Sequence, residues 1–138
     1  MQNWKGRLRA SGIHLGLSLG IAALAAVVVF GLWYPYPYRE ISGGRSLFML
    51  VVSVDVVMGP LITLVIFNRA KPRRELMVDF SVVALLQLAA LSYGMWTVFV
   101  ARPVHVVFEY SRMSVVHAID VDATLLAKAP AALQRLPM

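Results

Sequence analysis

The chain contains no cysteine, and only 14% of its residues are charged, against about 25% in soluble domains. The lack of cysteine excludes disulfides, thiolate metal sites and a cysteine nucleophile. Apolar residues make up 59% of the 138 positions and give a mean hydropathy of +0.73. Because these residues are gathered in long runs, the composition predicts an integral membrane protein.

Three apolar runs are predicted to be membrane-spanning helices, over residues 13–33, 47–67 and 80–100. Each run reaches about 31 Å as a helix, which matches the hydrocarbon core of a bilayer. The first run continues beyond Ala23-Leu24-Ala25, the segment most similar to a signal-peptide cleavage site. It is therefore predicted to be an uncleaved anchor, with a cleaved signal peptide as the alternative.

The remaining residues, 101–138, are predicted to lie outside the membrane. Two valine-rich runs, 104–109 and 113–117, are separated by a short polar turn and are typical of a β-hairpin. Asp122 is expected to cap a short helix and Pro130 to begin another. The fold class is thus all-α membrane: three transmembrane helices followed by a short hairpin and a helical tail.

Basic residues predict the orientation of this chain in the membrane. The segment before the first span and the loop after the second carry seven of them: Lys5, Arg7, Arg9, Arg69, Lys71, Arg73 and Arg74. The opposite side carries three: Arg39, Arg45 and Arg102. This excess predicts a cytoplasmic N-terminus and a periplasmic C-terminus in a bacterial inner membrane. Residues 1–100 are interpreted as the transmembrane domain, and 101–138 as the start of a truncated outer domain.

Asp55 lies within the second apolar run, where a charged side chain costs about 2.5–3.5 kcal/mol at the helix centre. We expect its carboxyl to accept a hydrogen bond from the Tyr93 hydroxyl on the third span. Gln87 is predicted to donate to the carbonyl of Val56, because Pro60 has no N–H for it. These contacts would join spans two and three. In the functional alternative, Asp55 meets a polar group on a partner helix or carries protons in a small transporter.

Glycines recur every fourth position in the first span, at Gly12, Gly16 and Gly20. Such a double GxxxG pattern lets another helix approach closely, and it predicts a packing face for a helix of this chain or of a partner. Chance occurrence in a span rich in glycine and alanine is the alternative.

The loop between spans one and two is rich in tyrosine and proline. Its prolines predict a stiff, extended segment at the membrane surface, and Gly43-Gly44 predicts a turn before the second span. A rigid interfacial hairpin is one interpretation, and a periplasmic partner contact is the other. The candidate contact residues are Tyr34, Tyr36, Tyr38, Arg39 and Arg45.

Catalytic and metal-binding patterns are missing from the sequence. His14 is placed at the membrane edge, whereas His105 and His117 lie on the predicted hairpin, and two histidines without a third ligand are weak evidence for zinc. We therefore expect no enzyme activity, no metal, no cofactor, no small-molecule substrate and no nucleic-acid partner.

Several uncommon motifs, in order along the chain, resemble the TfpX/TfpZ family of type IV pilin accessory proteins. They are Trp33-Tyr34-Pro35-Tyr36-Pro37-Tyr38, Ser42-Gly43-Gly44-Arg45, Val54-Asp55-Val56-Val57-Met58-Gly59-Pro60-Leu61, Phe67-Asn68, Arg73-Arg74-Glu75-Leu76 and Ala101-Arg102-Pro103-Val104. The resemblance implies an inner-membrane protein that assists the major type IV pilin before or during its assembly. A structural subunit of another envelope complex is the alternative, because a packing surface does not identify its partner.

Overall fold

The computed structural model describes residues 4–68 and 71–136. Arg69, which contributes to the predicted orientation, lies outside the described residues. Four helices precede the C-terminal segment: α1 (Trp4–Val28), which continues as a π-helical turn (Val29–Trp33), α2 (Tyr38–Ile41), α3 (Gly44–Ile66) and α4 (Arg73–Val100).

Within the described residues, three helices are long and apolar enough to cross a membrane: Trp4–Trp33, Gly44–Ile66 and Arg73–Val100. The prediction of three such helices is confirmed, and the chain is a membrane protein. All three helices begin earlier than predicted. A helix satisfies its own backbone hydrogen bonds, so it extends beyond the apolar run into flanks that are rich in good helix formers such as lysine and arginine.

Most large apolar side chains of these helices face outward. Leu24 is 71% exposed and Leu85 is 67% exposed, and many other leucines and valines of these helices are also exposed. Such a surface would favour aggregation in water, but lipid tails are as apolar as leucine and solvate it well. The arrangement therefore agrees with a lipid-facing exterior.

The predicted hairpin and the two helical turns after it are confirmed. Strand β1 (Pro103–Glu109) pairs antiparallel with β2 (Arg112–His117). A 3₁₀ turn, α5 (Ala123–Leu126) and α6 (Ala131–Gln134) follow. Asp122 caps α5 as predicted, because its carboxylate accepts hydrogen bonds from Thr124, and these hydrogen bonds lower the pKa of Asp122.

The chain forms two compact units. The first unit is made of Met1–Ala25 and Met49–Gly94, and the second of Ala26–Phe48 and Met95–Met138. Each long helix contributes residues to both units. The domain boundary that the sequence predicts after residue 100 stays a prediction.

In the second unit, Tyr34 fills a buried position and is only 1% exposed. Its hydroxyl donates to the carbonyl of Val98 at 2.9 Å. That carbonyl belongs to the last turn of α4, where the helix supplies no N–H donor. Burial raises the pKa of Tyr34 to about 12, although the charge of Arg102 opposes the shift. The Tyr34 ring also lies directly against Gly44, where a β-carbon would overlap it.

The prediction of an extended Tyr-Pro segment is wrong. Tyr34 turns inward to the Val98 carbonyl, and Tyr38–Ile41 forms one helical turn. The prolines restrict local backbone angles, but they do not determine which tyrosine meets an unpaired carbonyl elsewhere. The turn predicted at Gly43-Gly44 is confirmed, because Gly43 has a φ of +72°, which favours glycine.

Tyr34→Phe should lower the free energy of unfolding by about 1 kcal/mol, because the Val98 carbonyl loses its donor in a buried position. Thermal unfolding in detergent micelles, followed by circular dichroism, measures the effect. Tyr36→Phe is the matched control, since Tyr36 is 74% exposed and should tolerate the same change. Equal destabilisation by the two substitutions would contradict the role given to Tyr34.

Candidate functional site

A chain of polar side chains connects the three long helices within the first unit. His14 on α1 lies between α3 and α4. Its Nδ1 is 2.5 Å from the Thr63 hydroxyl of α3, and its Nε2 is 2.5 Å from Oε1 of Gln87 on α4. Thr63 is only 1% exposed, so its hydroxyl depends on partners inside the protein.

Gln87 continues the chain of hydrogen bonds back to α3. Its Nε2 donates to the main-chain carbonyl of Asp55 at 3.2 Å. A second link between α1 and α3 lies nearby, because the Ser11 hydroxyl donates to the carbonyl of Pro60 at 2.9 Å. Hydrogen bonds between membrane helices each contribute about 0.6 kcal/mol on average, so these four stabilise the packing together rather than singly.

The direction of each hydrogen bond follows from the carbonyl of Asp55. A carbonyl only accepts, so the NH₂ group of Gln87 faces Asp55 and its Oε1 faces His14. Since Oε1 also only accepts, Nε2 of His14 must carry a hydrogen. In a neutral ring, Nδ1 then accepts from the hydroxyl of Thr63. The network therefore selects one tautomer of the neutral histidine.

Gly59 permits the close approach of Gln87 to α3. A β-carbon at this position would overlap the amide group of Gln87. Gln87 lies at the predicted level of α3, but the predicted acceptor is wrong: Gln87 donates to the carbonyl of Asp55 and not to that of Val56. The missing N–H of Pro60 identifies a carbonyl in need of a donor, whereas packing at Gly59 decides which carbonyl the amide reaches.

One carboxyl oxygen of Asp55, Oδ1, is buried and has no hydrogen-bond partner among the described residues. The predicted hydrogen bond between the Tyr93 hydroxyl and this carboxyl stays a prediction. Tyr93 is 70% exposed, because its position on α4 directs the ring outward. The structure thus brings Asp55 together with Gln87 through the main chain, and a buried carboxyl oxygen remains without a donor.

The glycines of α1 form an open face. Gly12, Gly16 and Gly20 are exposed, and a β-carbon at each would meet no atom within 4 Å. This glycine face, defined by those three residues, therefore takes no part in packing within the described residues. His14 and Ser11 point instead toward α3 and α4.

The candidate residues of the loop between α1 and α3 differ in their exposure. Tyr34 is buried, whereas Tyr36 and Tyr38 are exposed. Glu40 is the shared partner of two basic side chains, at 3.4 Å from Nε of Arg39 and 3.8 Å from a guanidinium nitrogen of Arg45. The remaining accessible surface therefore combines aromatic rings with two partly exposed arginines.

The sequence patterns do not predict the contacts of His14, Thr63 and Ser11. Their spacing offers a signal for a packing face but not for its partner. Ser11 and His14 are three residues apart on α1, as are Pro60 and Thr63 on α3, and positions i and i+3 share a helix face. Among the described residues, no group of three or more histidine or acidic side chains is arranged to hold a metal ion.

Comparison with known proteins gives a consistent set of relatives. A family model described as Fimbrial assembly protein FimB matches residues 2–43, which cover α1 and the Tyr-Pro loop. The chain is also similar to the fimbrial assembly protein of serogroups C1 and C2 of Dichelobacter nodosus, with 43% identity over 113 residues. That match covers 82% of this chain and 86% of the relative.

Longer relatives also match. The fimbrial assembly protein of serogroup I of Dichelobacter nodosus is 45% identical over 125 residues, and that of serogroup E1 is 41% identical over 125 residues. Each match covers 91% of this chain but 48% of the relative. The chain thus spans about half the length of these two proteins. No solved structure matches the chain.

Gln87→Met should lower the free energy of unfolding by about 1–2 kcal/mol, because it keeps the length of the side chain but removes both hydrogen bonds of the amide. Unfolding in mild detergent by a denaturant measures this change. Leu88→Met is the control on the same helix, since Leu88 is 54% exposed and takes no part in the network. If both variants unfold alike, the polar chain does not stabilise the unit.

Proposed function

Since the chain belongs to the family of fimbrial assembly proteins, we propose that it is an inner-membrane accessory protein that binds the type IV pilin. In this role it modulates the stability of the pilin or its assembly into pili. The names of the relatives state a role in fimbrial assembly and no more. Membership of this chain in the TfpX/TfpZ type IV pilin accessory proteins is part of the proposal. Any activity that this chain shares with the longer relatives is also part of the proposal.

The open glycine face of α1 is the observation that carries this proposal. It lies in the segment that the fimbrial assembly model matches, and no side chain of the described residues covers it. Pilins wait in the inner membrane as single hydrophobic helices with a periplasmic head. In lipid, a face without β-carbons lets a second helix approach closely and gain van der Waals contact. The pilin helix is the proposed occupant.

The orientation belongs to the same proposal. Basic residues concentrate in the first turns of α1 and from the end of α3 to the first turn of α4, which favours a cytoplasmic N-terminus. The Tyr-Pro loop, the hairpin and the tail then face the periplasm, on the side of the pilin head. Tyr36, Tyr38, Arg39 and Arg45 offer a second contact there, whereas Tyr34 acts within the protein.

The proposed mode of action is binding without catalysis. A membrane helix that is docked on the glycine face is shielded from wrong helix partners while it waits for assembly. Neither a cofactor nor a small-molecule substrate is needed for this role. The partners are the lipid bilayer and the pilin, through its transmembrane helix and its periplasmic head.

Gly16→Leu should reduce the amount of pilin that co-purifies with the tagged protein about fivefold, because the leucine side chain holds the two helices apart. Gly20→Leu should act in the same direction. Both variants should accumulate to native levels, since a β-carbon at either position meets no atom of the described residues within 4 Å. Quantitative immunoblotting of detergent extracts measures both the protein and the pilin.

Leu85→Trp is the control for this experiment. Leu85 is 67% exposed and lies on α4, so added bulk there leaves the glycine face of α1 open. The control should co-purify pilin as the native chain does. Unchanged pilin recovery with Gly16→Leu would remove the glycine face from the proposal.

A further inference from the structure

Arg102 follows α4 closely, and several contacts fix it there. Its Nη1 donates to the carbonyl of Phe99 at 3.0 Å, and its guanidinium carbon lies 4.0 Å from the centre of the Phe99 ring. The main chain is held as well, because the N–H of Arg102 donates to Phe99 and its carbonyl accepts from the N–H of Ala118. The guanidinium is therefore preorganised at the end of the helix.

The position of Arg102 coincides with the level at which the helices leave the membrane. Arg102 is two residues beyond Val100, the last residue of α4. The Phe99 ring that it contacts also meets the ring of Trp33 edge-on, with 5.0 Å between the centroids, and Trp33 ends the first membrane-crossing helix. Tryptophan at the end of a membrane helix is typical of the headgroup region. Arg102 thus lies where lipid phosphates are found.

The charge of Arg102 is not balanced by an ion pair within the described residues. The second unit contains four acidic side chains, and each has another contact. They are Glu40 with Arg39 and Arg45, Glu109 with Arg112, Asp120 with His117, and Asp122 with Thr124. Since arginine stays charged at every physiological pH, this cation needs a partner from outside the described chain.

Part of the guanidinium is already shielded from water. Its Nε is buried and has no hydrogen-bond acceptor among the described residues, whereas the hydrogen bond of Nη1 is at an exposed position. Removing water from a charge costs free energy, and an anion at the exposed end offsets that cost. Phosphate oxygens match the planar N–H groups of a guanidinium better than a neutral lipid group does.

We propose that Arg102 binds the phosphate group of a phospholipid, in the leaflet that surrounds the C-terminal end of α4. A lipid with a net negative charge, such as phosphatidylglycerol, is preferred because no acidic side chain of the described residues pairs with this arginine. The bound lipid anchors the end of α4 and the start of the hairpin at the membrane surface. This inference goes beyond the proposed function, and it depends neither on a pilin partner nor on the orientation of the chain.

Native mass spectrometry of the whole chain, released from detergent micelles that contain phosphatidylglycerol, tests the proposal. The native chain should retain the lipid, and Arg102→Gln should lower the lipid-bound fraction about fivefold. Arg102→Lys keeps the charge but lacks the planar N–H groups, so its bound fraction should lie between these two. Diacylglycerol with the same acyl chains has no phosphate, and equal retention of diacylglycerol and phosphatidylglycerol by the native chain would overturn the proposal.

Arg45→Gln is the matched control. It removes the same charge within the same unit, in the first turn of α3, but Arg45 already has Glu40 as a partner at 3.8 Å. This variant should retain phosphatidylglycerol as the native chain does. A loss equal to that of Arg102→Gln would indicate general attraction between the chain and anionic lipid, and it would contradict a site at Arg102.

Two further measurements separate the lipid from other anions. Phosphatidylglycerol should raise the Tm of the native chain in micelles, with a smaller increment in Arg102→Gln, whereas sodium phosphate without lipid should not raise it. Comparing increments removes the effect of the lost hydrogen bond to Phe99 on the starting Tm. Equal stabilisation by sodium phosphate would assign the site to free phosphate. Reduced pilin co-purification by Arg102→Gln with unchanged lipid retention would assign Arg102 to a protein partner, and either result would overturn the proposal.

Discussion

A polar side chain on a membrane helix has no water to bind, so neighbouring helices must supply its hydrogen bonds. His14, Thr63 and Gln87 meet this requirement together, and the carbonyl of Asp55 completes the series. Apolar packing alone holds membrane helices weakly, because lipid tails are equally apolar. The polar chain therefore determines which faces of α1, α3 and α4 meet within the first unit, and it leaves the glycine face of α1 on the outside.

Glycine permits the polar contacts in both units. Gly59 lets the amide of Gln87 approach α3, and Gly44 leaves room for the ring of Tyr34. In each case a side-chain donor reaches a main-chain carbonyl, that of Asp55 in the first unit and that of Val98 in the second. At Gly59 and Gly44, the absence of a β-carbon therefore makes room for a side chain that donates a hydrogen bond. The glycines of α1 differ, because nothing in the described residues occupies the space they leave.

Much of the architecture follows from sequence patterns, and the exceptions have physical causes. Apolar length predicts the three long helices, two valine-rich runs predict the hairpin, and Asp122 is a recognisable cap. The network around His14 could not be predicted, because it depends on how three helices are rotated about their axes, and the sequence of a single span does not give these rotations. The contact of Tyr34 could not be predicted for a similar reason. Its partner is a carbonyl far along the chain, while local proline signals favour an extended surface segment.

We propose that this fimbrial assembly protein acts on the pilin. The most direct test is a strain without the chain, in which the pilin is transcribed from a fixed promoter, with total pilin and surface pili measured together. The account predicts loss of surface pili, with a fall in total pilin if the protein protects its client in the membrane, and restoration of both by the native gene. Unchanged pilin and unchanged surface pili would contradict the claim.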